Sequence, residues 1–152
     1  MGAVRSWPIF AVLVCAACGG SGAETSENLT AAEFRQQASA IRSQAYGELR
    51  SLGSPQSPEA LRTFVEKALP IQEEALERNR ALNPPDELAA DWNRVLEVAE
   101  NDFRTTQELN DALNEGDLQR AQDALAELGS LNQQGISALR ALDLTACINP
   151  MF

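Results

Sequence analysis

Between Leu29 and Leu142 the apolar residues recur every three or four positions in four blocks, and each block opens on a helix-start signal and closes on a helix breaker. That periodicity belongs to amphipathic helices, each of which must bury one stripe against a neighbour. In the first block Thr30 stands as N-cap with Glu33 three residues on, Leu29 opposes Phe34 across the cap, and Phe34, Ala38, Ile41, Ala45, Leu49 and Leu52 form the stripe. A capping box with a hydrophobic staple fixes the start. Gly53-Ser54-Pro55 ends it.

The second block begins at Ser57-Pro58-Glu59, a capping serine with proline at the first helical position and a carboxylate at the positive end of the helix dipole. Its stripe is Leu61, Phe64, Val65, Ala68, Ile71, Ala75 and Leu76, and it is expected to run to about Leu82 with a kink at Pro70. After Asn83-Pro84-Pro85-Asp86, a third block carries Leu88, Trp92, Val95, Leu96, Ala99, Phe103 and Leu109 to about Leu113. Asn114-Glu115-Gly116-Asp117 turns the chain into a fourth, with Leu118, Ala121, Leu125, Leu128, Asn132, Leu139 and Leu142 read as its inner face. Short connections make successive helices antiparallel. The expected fold is all-α, a monomeric up-down-up-down four-helix bundle over residues 29–152, with Phe34, Ile41, Phe64, Leu76, Trp92, Phe103, Leu125 and Leu139 in one core.

Residues 1–17 read as a signal peptide: Arg5, then an apolar run from Ile9 to Ala17 without charge. A helix of the eleven residues from Trp7 to Ala17 rises about 16 Å, half of a bilayer core of about 30 Å. It serves export and does not span. Ala16-Ala17-Cys18, followed by Gly19-Gly20-Ser21-Gly22, resembles the lipobox of bacterial lipoproteins. The resemblance implies cleavage before Cys18, diacylation of its thiol and anchoring on the extracytoplasmic face of the membrane, the two chains being what stable anchoring needs. Cys15 stands where most lipoboxes carry an aliphatic residue. The other outcome is secretion after cleavage at Ser21-Gly22-Ala23. Residues 18–28 are then the lipidated cysteine and a small, polar linker.

Composition removes several function classes. The chain carries 22 acidic and 12 basic side chains and a net charge of −10, so it repels phosphate backbones and no nucleic-acid partner is expected. It contains no histidine, which takes away the commonest general base and transition-metal ligand together. Glu74-x-x-Glu77 and Glu97-x-x-Glu100 have the one-turn spacing of di-metal bundles but no histidine beside them, and they read as solvated faces. The bundle also looks like that of cytochrome b562, yet the Met and His that ligate haem there have no counterpart. No metal, no cofactor and no catalysis are expected.

The order of Ala40-Ile41, Thr63-Phe64-Val65-Glu66-Lys67-Ala68-Leu69-Pro70, Leu82-Asn83-Pro84-Pro85, Gly116-Asp117 and Ala141-Leu142-Asp143-Leu144-Thr145-Ala146-Cys147 resembles a group of small exported helical-bundle proteins of GC-rich bacteria. These motifs are caps and core positions, so the resemblance implies a fold and no activity. It also implies a cysteine after the Ala-Ile pair as disulfide partner of the tail cysteine; here Arg42 takes that place. The tail is expected to fold over helix one near Ile41, held by Arg42 through Asp143 or a carbonyl, with Cys147 as a small buried residue.

Two function classes follow. The first is a membrane-anchored, non-catalytic interaction or structural module of the cell envelope, whose partner is an envelope protein that the sequence does not name. The second is a bundle that opens near Pro70 around a small apolar ligand. Phe64, Trp92 and Tyr46 are the candidate ligand-site aromatics, with core packing as their other role.

Overall fold

A computed structural model describes residues 29–144, and all of its regular structure is helical: α1 Ala31–Ser51, α2 Pro58–Arg80, α3 Asp86–Glu115 and α4 Leu118–Ala141. The expected signal peptide, Cys18 and the linker after it, and Cys147 in the tail lie outside the described residues. The four helices form the expected bundle. Consecutive helices pack side by side, most extensively α3 with α4, then α2 with α3, then α1 with α2.

The starts follow the local chemistry. The Thr30 hydroxyl and N–H both donate to Glu33 Oε2, at 2.6 and 3.0 Å, and the Glu33 N–H returns a bond to Thr30 Oγ1. Those hydrogen bonds hold the Glu33 carboxyl below its usual range. Ser57 accepts from the Ala60 N–H and Asp117 from the Arg120 N–H. Pro85 caps α3 without a side-chain bond. Gly116 closes α3 at φ +73°, and the next N–H, of Asp117, reaches back to the Ala112 carbonyl.

Helix α2 passes through Pro70 without interruption and stops at Arg80, two residues before Leu82. Pro70 is on the exposed face, so the Glu66 carbonyl that it leaves without an N–H partner has water beside it. The helix continues because the lost bond is solvated.

The single expected core is two clusters, one at each end. Where α1 and α3 begin and α4 ends, Phe34, Ala38, Leu88, Trp92, Val95, Ala138, Leu139, Leu142 and Leu144 are buried together, with Leu29 and Leu82 packed against them. At the other end Val65, Leu109, Ala112, Leu113, Ala121 and Ala124 form a second cluster, with Leu61, Phe64 and Leu128 against it. Helix α1 contributes nothing to this second cluster. It is the shortest helix, and its link to α4 lies at its own start, where Arg35 Nε donates to the Leu142 carbonyl at 2.9 Å and the guanidinium stands 3.7 Å from Asp143. Arg35, two turns nearer the start of α1 than Arg42, thus ties α1 to the end of α4, and Leu144 is buried.

The inner face of α4 differs from the expected one. Ala121, Leu139 and Leu142 are buried as expected and Leu128 is half-buried, but Leu118, Leu125 and Asn132 are exposed, and Ala124, Leu131 and Ala138 are buried. Phe64 and Phe103, expected in the core, are half-buried. The physical reason for α4 is close approach: with alanines at 121, 124 and 138 facing inward, α3 and α4 make the most extensive helix contact of the bundle, and a Cβ at Gly135 would meet Val98 at an ordinary 3.7 Å. A leucine-first reading takes Leu125 and Asn132 in place of their inward neighbours Ala124 and Leu131.

Candidate functional site

Between the two apolar clusters lies a polar layer on α2 and α3. Along α3 the residues Leu88, Trp92, Val95, Ala99, Asp102, Thr106, Leu109 and Leu113 alternate four- and three-residue steps. Asp102 and Thr106 therefore occupy core positions of a heptad, as Gln72 does in the α2 series Leu61, Val65, Ala68, Gln72, Ala75 and Asn79. Thr105 and Thr106 are buried. Thr106 satisfies itself within its helix, its hydroxyl donating to the Asp102 carbonyl at 2.8 Å.

Asp102 and Gln72 meet across the helix pair. Gln72 Nε2 donates to Asp102 Oδ2 at 3.3 Å, whereas Gln72 Oε1 is fully buried with no donor. Burial pushes the Asp102 carboxyl up to about 6. The Asn79 and Asn110 amide oxygens and the Trp92 indole N–H are likewise buried without a partner. This layer was missed from the sequence because Phe103, next to Asp102, is the better hydrophobe.

The aromatics singled out from the sequence do not converge. Trp92 is in the cluster near the start of α1 and Phe64 against the cluster at the far end. Tyr46 is half-buried, with the Arg50 guanidinium 5.8 Å from its ring centroid. A surface groove of about 410 Å³ runs between α3 and α4 and is lined by Val98 and Ala138 with Arg94, Gln133, Gln134 and Ser137 around them. The paired glutamates are on the exposed side, Glu74 beside Arg78 at 3.8 Å and Glu100 against Arg80 at 2.9 Å. Among the described residues no three His, Cys, Asp or Glu side chains gather as a metal site, and no helix is long and apolar enough to cross a membrane.

The surface feature that stands out is on α4. Leu118, Gln122, Leu125, Gly129, Asn132 and Ile136 follow one another at four- and three-residue steps, all but the half-buried Ile136 exposed, without a charged side chain. Leu118 is 67 % exposed and Leu125 41 %, and space is open within 4 Å of where a Cβ on Gly129 would stand. On a chain with a net charge of −10 this is an uncharged strip along one helix. No family model, curated protein or solved structure matches the chain.

Proposed function

We propose that the protein is a lipid-anchored extracytoplasmic helical bundle that acts as a non-catalytic interaction module of the cell envelope. The observation that carries the reading is the placement of the uncharged α4 strip. Leu29 enters the bundle at the end where Trp92 and Leu142 pack, while Leu118 and Leu125 belong to the first turns of α4, at the opposite end. The 30 residues of α3 separate the two ends by about 45 Å. An anchor at Cys18 would therefore present the exposed leucines away from the membrane, toward a protein partner. Leu118 and Leu125, two turns apart on one face with uncharged side chains along it, would give such a partner its apolar contact.

The anchor itself rests on the sequence around Cys18. Full-length protein should fractionate with membranes and its processing should be blocked by globomycin, and Cys18→Ala should abolish both properties. The interaction is tested by a photo-crosslinking residue at Leu125 in intact envelope, which should capture a discrete protein partner. Capture that persists when Leu118 and Gln122 are both changed to Glu, or none at all, would count against the strip.

The ligand-binding reading has less behind it. Phe64 and Trp92 line no common space, Pro70 faces outward, and the α3–α4 groove is rimmed by polar side chains.

A further inference from the structure

We propose that Asp102 is held as the neutral acid in a reciprocal pair with the Gln72 amide, and that this pair is a pH-operated tie between α2 and α3. Gln72 offers a donor and an acceptor on one plane; the donor is used on Asp102 Oδ2 at 3.3 Å, and the acceptor, Oε1, is buried with no donor of its own. An ionised carboxylate can only accept, so it leaves Oε1 unsatisfied. A protonated carboxyl has an O–H to give, and acid and amide are then complementary, N–H to one oxygen and O–H back to the other. One proton on the half-buried Asp102 carboxyl would give the orphan acceptor its donor.

The surroundings favour that proton. The described charged groups nearest in height are Lys67, Glu73 and Glu74 on α2, Glu100, Arg104 and Glu108 on α3 and Glu127 on α4, and every one of them is exposed. Arg104 is turned to Asn101 Oδ1 at 2.7 Å. On α1, which belongs to neither Asp102 nor the cluster beyond it, the nearest carboxylate in height is the half-buried Glu48, hydrogen-bonded to Gln44. Burial is accordingly the cause that moves the Asp102 carboxyl up, to about 6. Below that pH the pair closes and two polar core positions specify how α2 and α3 align; above it the proton leaves to solvent, a charge is stranded between two apolar clusters, and the pair opens. A paired polar position in a helix interface sets register in this way.

The direction of the pH dependence is fixed. With its carboxyl raised from 3.8 to about 6 in the fold, Asp102 keeps its proton where the unfolded chain has lost it, so this contribution is full below 3.8, falls as pH rises between the two values and is gone above 6. Other carboxylates titrate over part of that range, so the difference between wild type and Asp102→Asn isolates the group. The test has two readouts. In wild-type protein labelled with ¹³C at the Asp and Gln carbonyl carbons, Asp102 Cγ should titrate near pH 6 and Gln72 Cδ should move with the same midpoint. In denaturant unfolding, the wild-type unfolding constant should rise relative to that of Asp102→Asn by about tenfold per pH unit across the interval. An Asp102 already ionised at pH 5, a Gln72 carbon that ignores the titration, or equal pH profiles for the two proteins would overturn the proposal; the carbon titration decides it even if the variant does not fold.

Discussion

Phe34 stands edge-on to Trp92, with ring centroids 5.0 Å apart and planes at 86°, and this contact joins α1 to α3 at the one end of the bundle where α1 reaches its non-sequential neighbours. Both rings are almost completely buried, and edge-to-face geometry adds to the stabilisation from burial alone. Phe34→Ala should cost about 3 to 5 kcal/mol. Hydrogen exchange should show α1 losing protection before α3 and α4, since α1 takes no part in the second cluster; uniform loss over all four helices would contradict this division.

Arg35 does for the end of α4 what Phe34 does for the end of α1. Its Nε bond to the Leu142 carbonyl is partly buried, whereas its ion-pair partner Asp143 has a side chain 84 % exposed. The two contacts should separate by mutation. Arg35→Ala should cost about 1.5 to 3 kcal/mol, the range for a hydrogen bond to a charged group, and should speed exchange of the Leu144 N–H, now bonded to the Leu139 carbonyl at 3.0 Å. Asp143→Asn should change stability by less than about 0.5 kcal/mol.

The face of α4 can be read by substitution in the same way. Leu125→Gln and Leu118→Gln should each shift stability by about 0.5 kcal/mol or less. Leu131→Ala, at a side chain 3 % exposed, should cost about 2 to 5 kcal/mol. Equal costs at Leu125 and Leu131, measured by urea denaturation, would mean that α4 packs in the leucine-first orientation.

That orientation marks where the sequence stops being legible. The starts of α1, α2 and α4 were readable because their caps are local: Thr30, Ser57 and Asp117 bond within three residues of themselves. The rotation of α4 was not, because it depends on how closely another helix can approach, and Ala121, Ala124, Gly135 and Ala138 gain more from close packing than the larger Leu118 and Leu125 gain from burial. Asp102 escaped for a related reason. A hydrophobic stripe drawn by side-chain size runs through Phe103, whereas an uninterrupted heptad count from Leu88 to Leu113 runs through Asp102 and Thr106, and counting positions before looking at polarity finds the polar layer. The strip from Leu118 to Ile136 is the counterpart of the same error: Leu118, Leu125 and Asn132, assigned inward, became part of the candidate interaction surface.

Two glycines should answer to alanine with opposite signs. Gly116 holds φ at +73° to end α3, and although nothing would touch its Cβ, the left-handed backbone itself is costly for any residue with one. Gly116→Ala should therefore destabilise the bundle by about 1 to 2 kcal/mol, the strain of a left-handed residue. Gly129 is inside α4 with ordinary helical backbone and open space around its Cβ position, so Gly129→Ala should stabilise by up to about 1 kcal/mol through helix propensity and the smaller entropy of the unfolded chain. If the α4 strip binds its partner by close backbone approach at Gly129, that variant should be the more stable protein and the poorer binder. Thermal unfolding and crosslinking yield from Leu125, measured on the same preparation, separate the two effects: a stabilised variant with undiminished crosslinking would place the contact at the leucines and remove the glycine from it.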